Sequence, residues 1–234
     1  MTSSGTYAYA PALSDLIIQA FGRCQIRRSA LTAEHLSDAK ECANLLQVEW
    51  ANRSGINLWT VDLVSQALTA GTATYNLEAR TLGILAAYIS TGTPGTDRII
   101  TSISRDDYAA FPDKTTTGVP TVYWFNRQVT PQITVWQSPD TAATYTLKFY
   151  RARQIQDAAI TSGQNAEIPY RFLEAYTAAL ALALSRLYPP QDAQVRADLK
   201  EQAAQSWIEA STKDVEDVPL SFAPAVSSYY RGAA

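Results

Sequence analysis

The chain has 234 residues, of which 47% are hydrophobic and 18% charged, so a core is easily filled and the surface is lightly charged. Its net charge of −3 comes entirely from residues 161–234, which carry six basic and nine acidic side chains. Positive and negative charges balance elsewhere, and no basic patch offers a grip on nucleic-acid phosphates.

Pro11 precedes an amphipathic helix whose face holds Leu13, Leu16, Ile17, Ala20 and Phe21, ending near Gly22. Thr32 is placed to cap a second helix, with Glu34 in its first turn. Leu36, Ala39, Ala43, Leu46 and Trp50 follow at alternating spacings of three and four, a core-facing stripe that ends near Ser54-Gly55. Cys24 and Cys42, the only cysteines, read as small apolar fillers of helices, and no disulfide is expected.

Strand signals then take over. Leu58 to Val61, Leu82 to Ser90 and Arg98 to Ile103 are candidates, the last two separated by the turn sequence Thr91-Gly92-Thr93-Pro94-Gly95. Ser104-Arg105-Asp106-Asp107 has the form of a capping box opening a short helix. Phe111 to Gly118 reads as an exposed loop. Three aromatic, β-branched runs follow: Val122–Phe125, Ile133–Trp136 and Tyr145–Tyr150. Their short connections predict a meander of antiparallel strands.

Helical spacing returns at Pro169, a residue suited to a helix start because its missing N–H costs nothing there. Phe172, Leu173, Tyr176, Ala179, Leu180, Ala183, Leu184 and Leu187 make a wide apolar stripe, stopped by Pro189-Pro190. A last helix from Asp192 to about Lys213 carries Val195, Leu199, Ala203, Trp207 and Ala210 on one side, antiparallel to its predecessor. After Asp214 the period disappears while aromatics persist, which suits a segment that docks on its own domain or on another chain.

The fold class is therefore α+β. An α-helical bundle formed by 11–55 and 165–215 is interrupted by an antiparallel β domain at 56–160, and an extended C-terminal arm occupies 216–234. Burying all the helical stripes requires the first pair of helices to dock on the second.

Chemistry for an enzyme is missing. His35 is the only histidine and reads as a satisfied helix residue, so no triad containing histidine is possible elsewhere, and no His/Cys cluster has the ligand spacing of a zinc site. The glycines form no phosphate-binding motif. Asp106 and Asp107 are adjacent on a helix and diverge by ~100°, and Asp107 suits the cap better. Asp214, Glu216 and Asp217 are too few oxygen donors for a calcium loop. Neither an enzyme, a cofactor nor a metal is expected, although a glycosidase needs only two carboxylates and sequence leaves that class open. No apolar run reaches the ~18 residues of a spanning helix, and the N-terminus lacks the pattern of a signal peptide. The reading is a soluble protein folded in a cytosol. An alternative is a carbohydrate- or peptide-binding module, in which Tyr123, Trp124 and Trp136 form an exposed platform.

The run ISRDDYAAFPDKTTTGVPTVYWFNRQ, the hairpin with TVWQSPD, then LKFYRARQIQD and IPYRFLEAYTAALALALSRLY, resemble tailed-phage head-to-tail connectors. The nearest group is the podovirus-type adaptor, also described as a tail accessory factor or tail tubular protein A. The similarity runs from Leu13 to about Asp214 and rests on the order of elements and a diffuse motif. It implies a structural virion protein, made in the host cytoplasm and placed at the head–tail junction as a ring of twelve copies beneath the portal. The ring prolongs the DNA channel, through which DNA passes without specific binding, and holds the tail nozzle; no membrane is involved. It further implies that the C-terminal arm, with Pro219, Phe222, Pro224, Tyr229, Tyr230 and Arg231, contacts the portal. The loop of Asp113, Lys114, Thr115, Thr116, Thr117 and Gly118 faces a neighbouring copy or the next tail protein. Negative net charge suits such a channel, since it repels DNA within a Debye length of ~8–10 Å.

Overall fold

The computed structural model describes residues 5, 9–53, 58–92, 95–159, 164–190 and 192–215. The expected helix end at Ser54-Gly55, the Thr93-Pro94 step and the whole arm from 216 lie outside them. The fold is α+β. Helices α1 (Leu13–Arg23) and α2 (Ala33–Asn52) come first, and α4 (Leu173–Leu187) and α5 (Ala193–Thr212) last. Between them, among the described residues, lie a short helix α3 (Arg105–Ala110) and nine strands. These are β1 (Val61–Ala67), β2 (Thr74–Asn76), β3 (Thr81–Thr91), β4 (Thr96–Ser102), β5 (Thr117–Gly118), β6 (Val122–Asn126), β7 (Gln132–Trp136), β8 (Ser138–Pro139) and β9 (Tyr145–Arg153).

Local chemistry sets the helix boundaries. The Thr32 hydroxyl accepts from the amide of His35, and the His35 Nδ1 accepts the Thr32 amide in return, so a histidine closes the capping box of α2. Ser104 and Asp107 do the same for α3. The Asp192 carboxylate caps α5 through the Gln194 amide. Pro169 opens a single 3-10 turn, Tyr170–Phe172, which runs into α4.

The helices share one core. Leu13, Leu16, Ile17, Ala20 and Phe21 of α1 are all buried, as are Ala39, Ala43, Leu46 and Trp50 of α2. The stripe on α4 proves too narrow a description. Ala175, Thr177, Ala178, Ala181 and Ser185 are buried beside the expected residues, because α1, α2 and α5 all pack on α4. Leu187, at the end of the stripe, is exposed. Trp50 lies edge-on to Tyr176 and Phe172 and touches Trp207 of α5 at 4.8 Å between ring centroids.

Seven strands form one sheet in the order β1-β9-β3-β4-β6-β7-β2. Every pairing is antiparallel except β4 with β6, which α3 connects as a crossover. The expected meander holds only for β6 and β7. The chain leaves β7, makes the short parallel pair β5–β8, and returns so that β9 lies between β1 and β3. The expected strand at Leu58 is instead a 3-10 turn, Leu58–Thr60, followed by β1. One sheet face is apolar and buried, with Ala87, Ile89, Ile100, Tyr123, Ile133, Val135, Leu147 and Phe149 in a second core. Trp59, Ile155 and Ala158, although adjacent in sequence to strands, pack in the helical core.

Candidate functional site

The loop at Asp113–Gly118 is built from its own side chains. The Asp113 carboxylate accepts from the Thr115 amide at 2.7 Å, the Thr115 hydroxyl at 2.6 Å and the Thr116 hydroxyl at 3.0 Å. Those bonds, the Thr115 hydroxyl first, hold its carboxyl below the usual carboxylate range. Lys114 turns back to donate to the carbonyls of Ala109 and Phe111, closing the C-terminal end of α3. The Trp136 indole donates to the Asp113 carbonyl at 3.0 Å, and the Trp136 ring stacks on Phe111 at 4.2 Å. Thr117 and Gly118 pair with Ser138 and Pro139, leaving a pinned, polar loop. The Gly118 Cα approaches Gln137 so closely that a Cβ would stand 2.2 Å from Oε1 of that side chain.

The same contacts decide what the aromatic strands present. Tyr123 is buried, Trp124 stacks on Tyr108 at 5.6 Å with Arg105 over it, and Trp136 is covered by Phe111. Helix α3 and its following loop lie over the two tryptophans. These three residues therefore do not form an open platform.

An open surface does exist between α2 and α5, over α4. The groove measures about 700 Å³, with Leu182 and Ala183 of α4 in its floor and Cys42 and Leu45 of α2 facing Ala204 and Ile208 of α5. Leu45 is 69% and Ile208 63% exposed. Charges of both signs edge it: Asp38, Glu41 and Glu49 against Arg53, Arg186 and Lys200. At one end the Arg53 guanidinium lies over the Trp207 ring, 4.3 Å from its centroid. At the other, the Tyr188 hydroxyl donates to Asp38 at 2.6 Å, which with burial raises the phenol to about 12. The groove was not legible from periodicity, because Leu45 and Ile208 lie off the stripes that mark the core. The signal was their very presence on faces otherwise polar.

The remaining reactive groups serve packing. Cys24 is buried and donates to the Ala181 carbonyl, and burial raises its thiol to about 11. Cys42 is also unpaired in any disulfide. His35 stacks on Tyr188 at 4.6 Å while its Nδ1 serves the cap. Arg151, 3% exposed, reaches from β9 to hold Asp62 through two bonds of 2.8 and 3.2 Å, with Glu78 at 3.1 Å and the Thr81 hydroxyl at 3.1 Å. Arg153 pairs with Glu167, which also accepts the Gln156 amide. Asp214 accepts the Leu58 amide at 3.0 Å and pairs with Arg171, so it ties the end of α5 to the start of the strands. Among the described residues no cluster of His, Cys, Asp or Glu could hold a metal ion, and no helix is long and apolar enough to cross a membrane. Pro219, Phe222, Pro224, Tyr229, Tyr230 and Arg231 lie outside the described residues.

Among the described residues, then, the ionisable groups are tied into structural bonds, the Asp113–Gly118 loop is pinned by its own side chains, and a groove stands open between α2 and α5. The model of the SU10 adaptor protein family matches residues 12–224, and the chain belongs to that family. It is a phage structural adaptor. No curated protein matches it.

Proposed function

We propose that this adaptor forms a closed ring, of twelve copies, beneath the portal, where it continues the DNA channel and carries the tail nozzle. The observation that carries this reading is the family match over nearly the whole chain. Physical support comes from the two separate cores. A ring of identical subunits needs head-to-tail contacts, and each copy must offer two different faces. The helical layer and the sheet supply them. In this reading the pinned loop Asp113–Gly118 meets a neighbouring copy or the nozzle. The C-terminal residues reach the portal through Tyr229, Tyr230 and Arg231, with Pro219, Phe222 and Pro224 on the path that leads there. Aromatic anchors and an arginine are the residues that dominate such contacts, and repetition around a ring multiplies a weak one. DNA passes without being gripped, in keeping with a net charge of −3. Mixing the purified chain with its portal and weighing the product tests the proposal: a complex holding one ring of this chain per portal is expected. A portal that recruits no copies would refute it.

A further inference from the structure

Across the groove between α2 and α5, large apolar side chains from two helices face each other over open space. Leu45 and Ile208 are each more than three-fifths exposed, and Leu187 adds to the same surface. Scattered exposed leucines are ordinary, but a groove of about 700 Å³ with apolar residues on both walls has room for an occupant. Along α2 its lining runs from Asp38 to Arg53, which is ~22 Å at 1.5 Å per residue. An extended chain covers that distance in about seven residues at ~3.3 Å each.

The chain carries such a segment, and it starts in the right place. Asp214 is held by Arg171 and the Leu58 amide, which fixes where the chain leaves α5. Phe172 lies next to Arg171 and packs on Trp207, a residue lining the groove, at 5.7 Å between ring centroids. The chain therefore passes 215 near the Trp207 end of the groove, with nineteen residues still to come. Among these, Pro219–Val226 reads PLSFAPAV. Leu220, Phe222, Pro224 and Val226 occupy alternate positions, and Ser221, Ala223 and Ala225 lie between them. In an extended segment, alternate residues share a face, so one side is bulky and apolar and the other small. Both prolines disfavour a helix and lack amide donors that would need partners.

We propose that residues 219–226 fill the groove of their own chain, with Leu220 and Phe222 against Leu45 and Ile208. Residues 216–218 supply the reversal, since a β-turn needs only four residues. A tether this short gives an effective concentration in the millimolar range, which favours the same chain over a second copy. The strap would also fix the point from which Tyr229, Tyr230 and Arg231 project. The proposal does not depend on the ring or on the portal.

Cys42 lines the groove and gives the readout. Cys24 is buried whereas Cys42 is partly exposed with its own thiol also raised by burial, so every chain is tested in a Cys24→Ala background, where a thiol-specific reagent reports on Cys42 alone. The native chain should label at least about tenfold more slowly than a chain lacking residues 218–234. A full-length chain with Leu220→Ser and Phe222→Ser should label as fast as the truncated one. A synthetic peptide of residues 218–228 should slow the truncated chain again. Equal rates in native and truncated chains would overturn the proposal, as would slow labelling of the double variant. Protection that grows with protein concentration would also overturn it, and would assign the groove to a second copy. Portal binding by each variant is scored separately. A native chain that protects Cys42 yet never joins the portal would refute the ring and leave the strap standing.

Discussion

Arg151 shows how a buried charge is kept in a sheet. Its guanidinium is almost wholly shielded and is neutralised by Asp62 and Glu78 from either side of it in the fold. Its hydrogen bond, the largest cause, holds the Asp62 carboxyl below its ordinary range, and Arg153 does the same for Glu167. Because both folded values are lowered, the associated stability is fully present above the unfolded carboxylate pKa of about 4. It is lost as pH falls through the lowered folded values. Urea unfolding across a pH series should therefore show stability level above about pH 5 and declining below about pH 4. Asp62→Asn should cost about 1–3 kcal/mol at neutral pH, through the lost charge-assisted bonds to Arg151, and flatten that acid decline. An Asp62→Asn chain with native stability and an unchanged acid limb would show that the network contributes nothing. None of this network was legible in the sequence. Asp62, Glu78 and Arg151 are far apart along the chain, whereas Ser104 and Asp107 announce their cap by spacing alone. The partner of Thr32 was missed for a related reason: His35 occupies the position where a capping box ordinarily has a carboxylate or amide.

Helix α4 is the element on which the others converge. Its sequence displayed an apolar stripe, and the stripe correctly marked Phe172, Tyr176, Leu180 and Leu184 as core. It did not reveal burial on the other sides, because alanine, serine and threonine carry little hydrophobic signal. Those small residues let neighbouring helices approach closely. Enlarging one should be resisted: Ala178→Leu or Ala181→Leu should each cost about 1–3 kcal/mol, read from thermal unfolding. Ile99→Ala, at an exposed site in β4 and outside the helices, should stay within about 0.5 kcal/mol. A native-like melting temperature for both Ala178→Leu and Ala181→Leu would mean that α4 is not the crowded centre of the bundle. Strands were legible one by one where β-branched and aromatic residues cluster, as in β6, β7 and β9. Their order was not. Nothing in the Tyr145–Tyr150 run says that it enters between β1 and β3, since any strand with an apolar face satisfies the same alternation.

At the scale of the molecule, we propose two units, with residues 56–160 inserted between helices 11–55 and 165–215, each around its own core. The insertion points support this: Val61 pairs with Ala152, so the chain enters and leaves the sheet at adjacent points. The cut must respect Trp59 and Ile155, which belong to the helical core. Replacing residues 61–153 by a short linker should leave a helical protein that unfolds cooperatively, followed by circular dichroism. Loss of cooperative unfolding would show that the sheet is needed for the helices to fold. The surfaces proposed for docking were partly legible. Spacing and composition placed the Asp113–Gly118 loop, while the helix groove emerges only when α2 and α5 are set side by side on α4.

The central claim is that this SU10-family adaptor is a ring component that joins a portal. Mass measurement of the native chain, alone and mixed with its portal, tests it most directly. The free subunit is expected to be too small to be a ring at micromolar concentration, because balanced charge gives copies no long-range attraction for spontaneous closure. With portal present, a single larger species is expected whose added mass equals twelve copies. A stable dodecamer formed without portal would contradict the assembly order, and a portal whose mass is unchanged by excess chain would contradict the function itself.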